Sequence, residues 1–141
     1  MADGGATAQI VRFDEITPID RGNGISSTPL VGEQTGSTIL LTGMTLFPPG
    51  AAIPLHTHNS DECIVLLEGR TICEVDGERH ELSPYDTAFI PAGLTHRFIN
   101  IGDGPMRILW AYSSVHTTRT FVETGETIPH LGPLPQDARA R

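Results

Sequence analysis

Short runs of strand-forming residues, separated by turn residues, recur along most of this chain. Runs of Ile, Val, Leu, Thr and Phe alternate with Gly and Pro, of which the 141-residue sequence contains 15 and 11. The clearest turn is Asp76-Gly77, which lies between residues 71–75 and 78–82 and predicts a hairpin with a type I′ turn. No stretch has helical periodicity of useful length. The pattern predicts an all-β domain of about eight to ten short strands, either a sandwich or a barrel.

A single domain accounts for the length of the chain. We expect residues 9–115 to form one barrel, with residues 9–13 as a short edge strand because apolar and polar residues alternate there. Residues 1–8 are small and polar and are predicted to be disordered. Residues 116–141 are polar and rich in Thr and Pro, so they are predicted to form a C-terminal strap or tail rather than a second core.

The charge of the chain excludes several classes of function. The net charge is −8, and all nine basic residues are arginines that occur singly along the chain. Nucleic-acid binding requires a basic patch, and arginines spread in this way do not form one. We therefore expect no binding to DNA or RNA. The absence of lysine excludes a Schiff-base mechanism or a lysine-anchored pyridoxal cofactor.

No secretory signal or membrane span is recognised, and the two cysteines lie in predicted strands, which indicates a cytoplasmic protein with reduced thiols.

Two histidines one residue apart, His56 and His58, are the strongest functional signal. Alternate residues of a β-strand point to the same face, so both imidazoles can reach one point in space. Glu62 can return to that point after a short bend. His96 is the candidate for a fourth ligand, since it opens a strand after the turn at residues 91–93. Histidine and carboxylate clustered in this way indicate a metal site.

With these residues, the chain resembles the cupin superfamily over residues 38–113. The first motif of that family, G-x5-H-x-H-x3,4-E-x6-G, is matched at every position by Gly50, His56, His58, Glu62 and Gly69. The second, G-x5-P-x-G-x2-H-x3-N, is matched by Pro91, Gly93, His96 and Asn100. Tyr85 stands where the second motif has its first glycine.

The resemblance implies a double-stranded β-helix, or jelly-roll, barrel that holds one divalent metal ion through His56, His58, Glu62 and His96. Three imidazoles and a carboxylate suit Fe, Mn, Ni, Cu or Co at least as well as Zn. An octahedral ion with four protein ligands keeps two positions for a chelating substrate, or for substrate and O₂. The chemistry therefore favours an octahedral metal over Zn.

Further residues are candidates for the walls of a pocket. Phe98 and Asn100 share a strand face with His96, and Arg107, Trp110 and Tyr112 lie on a strand that could line the cavity. A packing role in the core is the alternative for the two aromatic residues of that strand. The remaining histidines, His80, His116 and His130, are interpreted as surface or hydrogen-bonded residues.

Three functions are compatible with such a site, all with a small molecule as substrate or ligand. The first, slightly favoured, is a metal-dependent dioxygenase in which Glu62 also acts as a base. The second is a redox-neutral isomerase, lyase or decarboxylase, and the third is a non-catalytic module that binds or senses a small ligand.

Because residues 37–47 and 62–67 are apolar on both faces, we also expect a homodimer.

Overall fold

The computed structural model of the chain describes residues 6–135. Within this range the only helices are two 3-10 helices of three residues each, Phe13–Glu15 and Glu33–Thr35, and neither could cross a membrane. All other regular structure is β-strand. The strands are β1 (Ile19–Gly22), β2 (Ile25–Val31), β3 (Leu41–Phe47), β4 (His56–His58), β5 (Glu62–Glu68), β6 (Thr71–Val75), β7 (Glu78–Leu82), β8 (Thr87–Ile90), β9 (His96–Asn100), β10 (Met106–Tyr112), β11 (Thr118–Phe121) and β12 (Thr127–Pro129).

These strands form two six-stranded antiparallel sheets. The first has the order β1-β2-β3-β10-β5-β8, and the second has the order β12-β11-β4-β9-β6-β7. Strands that are distant in sequence, such as β3 and β10 or β4 and β9, are therefore neighbours in space. This arrangement confirms the predicted all-β, double-stranded β-helix (jelly-roll) fold, although the described residues form twelve strands where about eight to ten were predicted.

Local turn chemistry sets the hairpin between β6 and β7. Asp76 and Gly77 both have positive φ, 49° and 83°, as a type I′ turn requires. The pairing runs from Val75 opposite Glu78 to Thr71 opposite Leu82. The predicted hairpin is confirmed with its boundaries.

The segment before β1 differs from the prediction. Residues 9–13 were predicted to form an edge strand, but they pair with no strand, and Phe13 begins a 3-10 helix. Ile10 is 73% exposed, so the alternation there does not mark a buried face. Alternation predicts a strand only where a neighbouring edge is available for pairing. Of the predicted disordered N-terminus, residues 1–5 lie outside the described residues.

The C-terminal part of the chain, predicted as a strap or tail, supplies two strands of the second sheet. β11 pairs with β4 on one side and with β12 on the other. Beyond β12, His130 and Leu134 are buried against the rest of the domain. Residues 116–135 therefore extend the second sheet on the side of β4, next to the His56-Thr57-His58 segment, and residues 136–141 lie outside the described range.

The core lies between the inner faces of the two sheets. Along β3 and β10 buried and half-buried residues alternate, which is the period of a strand with one face in a core. Trp110, the largest buried side chain, lies opposite Gly43 in register. A Cβ atom at Gly43 would lie 2.4 Å from two ring carbons of Trp110. Gly43 thus makes room for the indole, which is how the barrel interior accommodates it.

The outer faces of β3 and β5 carry half-buried side chains, including Met44, Leu46 and Val65. The predicted homodimer has these outer faces as its interface. That homodimer stays a prediction, which size-exclusion chromatography with light scattering tests. Cys63 and Cys73 are both free thiols, in agreement with the expectation of reduced cysteines.

Tyr85, which replaces the first glycine of the second motif, has a φ of 75° and is exposed. It follows Pro84 in the turn closed by the hydrogen bond from the Asp86 N–H to the Ser83 carbonyl at 2.9 Å. A positive φ costs an L-residue with a bulky side chain about 1 kcal/mol or more, a cost that glycine avoids. We expect Tyr85→Gly to raise the free energy of unfolding by about 1 kcal/mol in urea titrations. Tyr85→Ala keeps the strain and serves as the control; an equal gain there would contradict this explanation.

Candidate metal centre

Three buried histidines converge between the two sheets. His56 and His58 lie on one face of β4, and His96 begins β9, where it pairs in register with His56. One ring nitrogen from each lies within 4.8 Å of the others. The predicted clustering of these three side chains is confirmed, and it follows from the period of two along β4 together with the pairing of β4 and β9.

Backbone carbonyls fix the orientation of all three rings. The Nδ1 atoms of His56, His58 and His96 lie 2.7, 2.9 and 2.9 Å from the carbonyl oxygens of Pro54, Thr118 and Leu94, respectively. A carbonyl can only accept a hydrogen bond, so each Nδ1 carries the proton. The Nε2 atoms are then left to act as ligands, and hydrogen bonds of this kind are what orients histidines around a metal.

Burial keeps the rings of His56 and His58 neutral. It holds the pKa of His56 well below its usual value, an effect to which the nearby Arg119 charge adds. Burial also lowers the pKa of His58 to about 4, although the Glu62 carboxylate acts in the opposite direction. At neutral pH the Nε2 atoms of both histidines therefore present lone pairs, the form that binds a metal ion.

Glu62 approaches the histidines from the opposite sheet. Its Oε1 atom lies 2.8 Å from His96 Nε2 and 3.6 Å from His58 Nε2. Its Oε2 atom accepts a hydrogen bond from the Tyr112 hydroxyl, which lies across from Glu62 in the β5–β10 register. Burial acts to raise the pKa of the Glu62 carboxyl, but the contacts with His96, His58 and Tyr112 outweigh it and lower the pKa below its usual value.

The contact between Glu62 and His96 fits a bound cation. Glu62 Oε1 and His96 Nε2 are both buried, and neither has a hydrogen-bond partner despite their separation of 2.8 Å. Because Nδ1 of His96 donates to the Leu94 carbonyl, Nε2 is the ring nitrogen that faces the carboxylate oxygen. A buried carboxylate and three imidazole nitrogens that converge on one point are stabilised by a positive charge between them. The donor set therefore suits a divalent metal ion.

A small cavity of about 20 Å³ adjoins these groups. His56 and Glu62 line it, together with Phe98, Trp110 and Tyr112 from the predicted pocket. This volume accommodates one water molecule or one ion. A substrate of several heavy atoms must therefore displace part of the wall when it binds.

Two residues predicted to line the pocket lie elsewhere. The side-chain amide of Asn100 donates to the carbonyls of Phe47 and Gly104, so it ties the loop after β9 to the end of β3. Arg107 lies on the outer face of β10, where its Nε is 3.4 Å from a carboxylate oxygen of Glu68. Asn100 shares a strand face with His96 as expected, but the barrel places it at the far end of the strand from the cavity. Neither residue lines the cavity.

Two residues that line the cavity were missed from the sequence. Arg119 of β11 pairs in register with His58, and its side chain is buried. His130, interpreted as a surface or hydrogen-bonded residue, is also buried, with its ring centroid 4.5 Å from that of Trp110 and 4.4 Å from that of Tyr112. The alternation in 118–121, which puts Arg119 and Phe121 on one strand face, was the available signal.

Comparisons with known proteins agree with this architecture. The sequence model of the Cupin domain family matches residues 43–112. The polyketide synthase CurC of Streptomyces cyaneus is 32% identical over 106 residues, which are 74% of this chain and 69% of that protein. The quercetin 2,3-dioxygenase of Bacillus subtilis (strain 168) is 36% identical over 81 residues, which are 55% of this chain and 23% of the dioxygenase.

The fold recurs in solved structures. An RmlC-like cupin from Shewanella frigidimarina NCIMB 400 superposes with a TM-score of 0.68 over 77% of this chain and 92% of its own, at 19% identity. At that level of identity the likeness concerns the fold and not the reaction.

Proposed function

Because the chain belongs to the cupin superfamily, we propose that it is a mononuclear metal-dependent enzyme acting on a small, oxygen-rich organic molecule. The proposal rests on the buried Glu62 carboxylate, whose Oε1 lies 2.8 Å from His96 Nε2 and 3.6 Å from His58 Nε2, within a cluster of three buried imidazoles. Such an arrangement is costly unless a cation completes it. A site that served only to pack the core would have no reason to keep it.

In this proposal His56, His58, Glu62 and His96 hold one divalent metal ion. Fe, Mn, Ni, Cu or Co suits three imidazole nitrogens and one carboxylate oxygen at least as well as Zn. An ion that prefers six ligands would also keep positions for substrate. When bound, the ion would supply Lewis-acid polarisation of the substrate's oxygens.

Glu62 is the proposed base. Its Oε2 atom is occupied by the Tyr112 hydroxyl, and Oε1 carries no hydrogen bond. The lowered pKa of Glu62 keeps this carboxyl ionised at neutral pH, so Oε1 can accept a proton from an enol or phenol. Burial raises the pKa of Tyr112 well above its usual value, and the Glu62 charge adds to this. The hydroxyl therefore stays protonated and holds the carboxylate in place.

Two reaction types can follow removal of that proton. Dioxygenase chemistry is supported by the similarity to a quercetin 2,3-dioxygenase. A redox-neutral isomerase, lyase or decarboxylase is the second candidate, and the polyketide synthase CurC, which is similar over a larger share of this chain, has a name that specifies no oxygenase. Polyketides and quercetin, the compounds in the names of these two relatives, are oxygen-rich, which is why the substrate class is common to the two candidates.

Metal analysis and oxygen uptake test the proposal together. We expect protein purified without added metal to contain Fe, Mn, Ni, Cu or Co near one ion per chain, and to convert quercetin or acetylacetone. Glu62→Gln should lower turnover by about 100-fold or more because it removes the base. Glu81→Gln, which changes an exposed glutamate, is the matched control.

The outcomes separate the candidates. Oxygen uptake in step with turnover supports the dioxygenase, and turnover that is unchanged without oxygen supports the redox-neutral enzyme. Protein that binds no transition metal after incubation with each of these ions would contradict the proposed function. Protein that binds a metal and both compounds without converting either would favour a binding module.

A further inference from the structure

Two buried donors in the cavity have no acceptor. Arg119 and His130 both line the cavity beside His56 and Glu62. Their side chains are 3% and 4% exposed, and neither Arg119 Nε nor His130 Nε2 has a hydrogen-bond partner. A buried polar atom left without a partner is costly, so a site that keeps two of them next to each other suggests a missing ligand.

Hydrogen bonding identifies both atoms as donors. A guanidinium can only donate, so the contact of 3.4 Å between Arg119 Nη2 and His130 Nδ1 makes Nδ1 the acceptor. With Nδ1 as the acceptor, Nε2 is the ring nitrogen that carries the N–H. Arg119 Nε and His130 Nε2 therefore both offer an N–H and require an oxygen.

The charge balance of the interior indicates that this oxygen is anionic. Arg21 and Arg119 are both buried, and Glu62 is the only acidic residue among the described residues that reach the same degree of burial. Arg21 donates to the carbonyls of His130 and Gly132 and to Ser27, so no carboxylate balances its charge. The third buried arginine, Arg97, is paired with Glu74 outside the cavity. Buried charges are normally matched, and here one positive charge is left over.

Proximity connects these donors to the metal centre. Arg119 lies opposite His58 in the β4–β11 register, and the ring centroids of His58 and His130 are 5.7 Å apart. A substrate oxygen that reached Arg119 would thus leave other atoms of the same molecule beside the histidine cluster.

We propose that Arg119 and His130 form an oxyanion subsite that receives a carboxylate or enolate oxygen of the substrate. The subsite rests on the proposed function in that its ligand is the molecule that also reaches the metal centre. Two N–H groups, one of them on a permanent cation, bind a negatively charged oxygen more strongly than a neutral one. The preferred substrate is therefore an organic anion, and neutral analogues bind more weakly.

Binding can be measured on metal-free protein through the single tryptophan. Trp110 is the only tryptophan of the chain, and its ring packs against that of His130. We expect formate to change its fluorescence saturably, while formamide, a neutral molecule of nearly the same shape, has no effect at the same concentrations. Acetylacetone is the enolate probe. Saturation by formate alone identifies a carboxylate substrate, and saturation by acetylacetone alone identifies an enolate.

Two variants assign the effect to the proposed residues. Arg119→Met keeps much of the side-chain volume and should weaken anion binding about tenfold or more. His130→Phe keeps a ring against Trp110 but removes the N–H, and should weaken binding about threefold to tenfold. His80→Ala, at an exposed histidine, is the control and should bind formate as the wild type does. Circular dichroism establishes that each variant is folded, and His130→Phe remains informative if Arg119→Met does not fold.

The subsite is overturned if formamide binds as well as formate, if neither anion binds, or if His130→Phe and a folded Arg119→Met bind the anions like the wild type. Titration of the same proteins with Ni²⁺ distinguishes this failure from failure of the proposed function. Protein that binds Ni²⁺ but no anion lacks only the subsite. Protein that binds formate but no divalent metal retains the subsite and loses the proposed enzyme.

Discussion

His58→Ala is expected to abolish tight metal binding and, with it, most of the stabilisation that metal confers. Removing one of four ligands should weaken binding by at least about 100-fold, since even the loss of an outer hydrogen-bond partner costs tenfold to 100-fold. Metal at about 1,000 times its dissociation constant stabilises the folded state by about 4 kcal/mol, and a 100-fold weaker site would retain about 1.4 kcal/mol.

The measurement is the shift in melting temperature on adding metal, compared with the same protein in a chelator. Taking this difference removes the effect of the mutation on packing and on the hydrogen bond from His58 Nδ1 to the Thr118 carbonyl. His116→Ala, at an exposed histidine, should keep the full shift. If His58→Ala retained both the metal and the shift, the ligand set would be misassigned.

Metal-free protein is expected to lose stability steeply as the pH falls from about 6.5 to about 4. Burial lowers the pKa of His56, His58 and His130, in the case of His58 to about 4. In this interval the unfolded chain takes up protons on these histidines, whereas the folded chain does not. The free energy of unfolding therefore decreases with falling pH, by about 1.4 kcal/mol per pH unit for each histidine involved. Above pH 6.5 the same histidines should contribute no slope.

Urea titrations between pH 7 and pH 4 in the presence of a chelator measure this slope. His130→Phe removes one of the three titrating histidines and should reduce the slope by about 1.4 kcal/mol per pH unit, which corresponds to one proton. His80→Ala, at an exposed position, should leave it unchanged. A free energy of unfolding that stays constant over the interval would mean that the folded chain takes up as many protons as the unfolded chain, which would contradict the neutral state of these buried rings.

Strand positions were predictable because they depend on local sequence. The hairpin at Asp76-Gly77 required only that two successive residues adopt positive φ. The His-x-His spacing likewise depends only on the period of two along β4. By contrast, the alternation in residues 9–13 predicted a strand that does not form, since no sheet edge accepts it. Local pattern specifies a strand, and the rest of the molecule decides whether that strand has a partner.

The candidate site also combines residues that could be predicted from the sequence with residues that only the strand order brings in. His56, His58, Glu62 and His96 were identified from their spacing and from the resemblance that this spacing carries. Which other side chains reach them depended on strand order: β11 lies next to β4, although the contact from His58 to Thr118 spans 60 residues of chain. No local signal gives that neighbour.

By itself, the sequence determined an all-β domain with a histidine cluster, since turn residues, strand periodicity and ligand spacing are short-range properties. The jelly-roll topology was implied by the resemblance to the cupin superfamily. Only the tertiary structure decided what surrounds the cluster. It brought Arg119 and His130 into the cavity, left Asn100 and Arg107 outside it, and directed Glu62 Oε1 at His96. The physical reason is that burial and charge pairing are properties of whole sheets, set by which strands meet across the barrel.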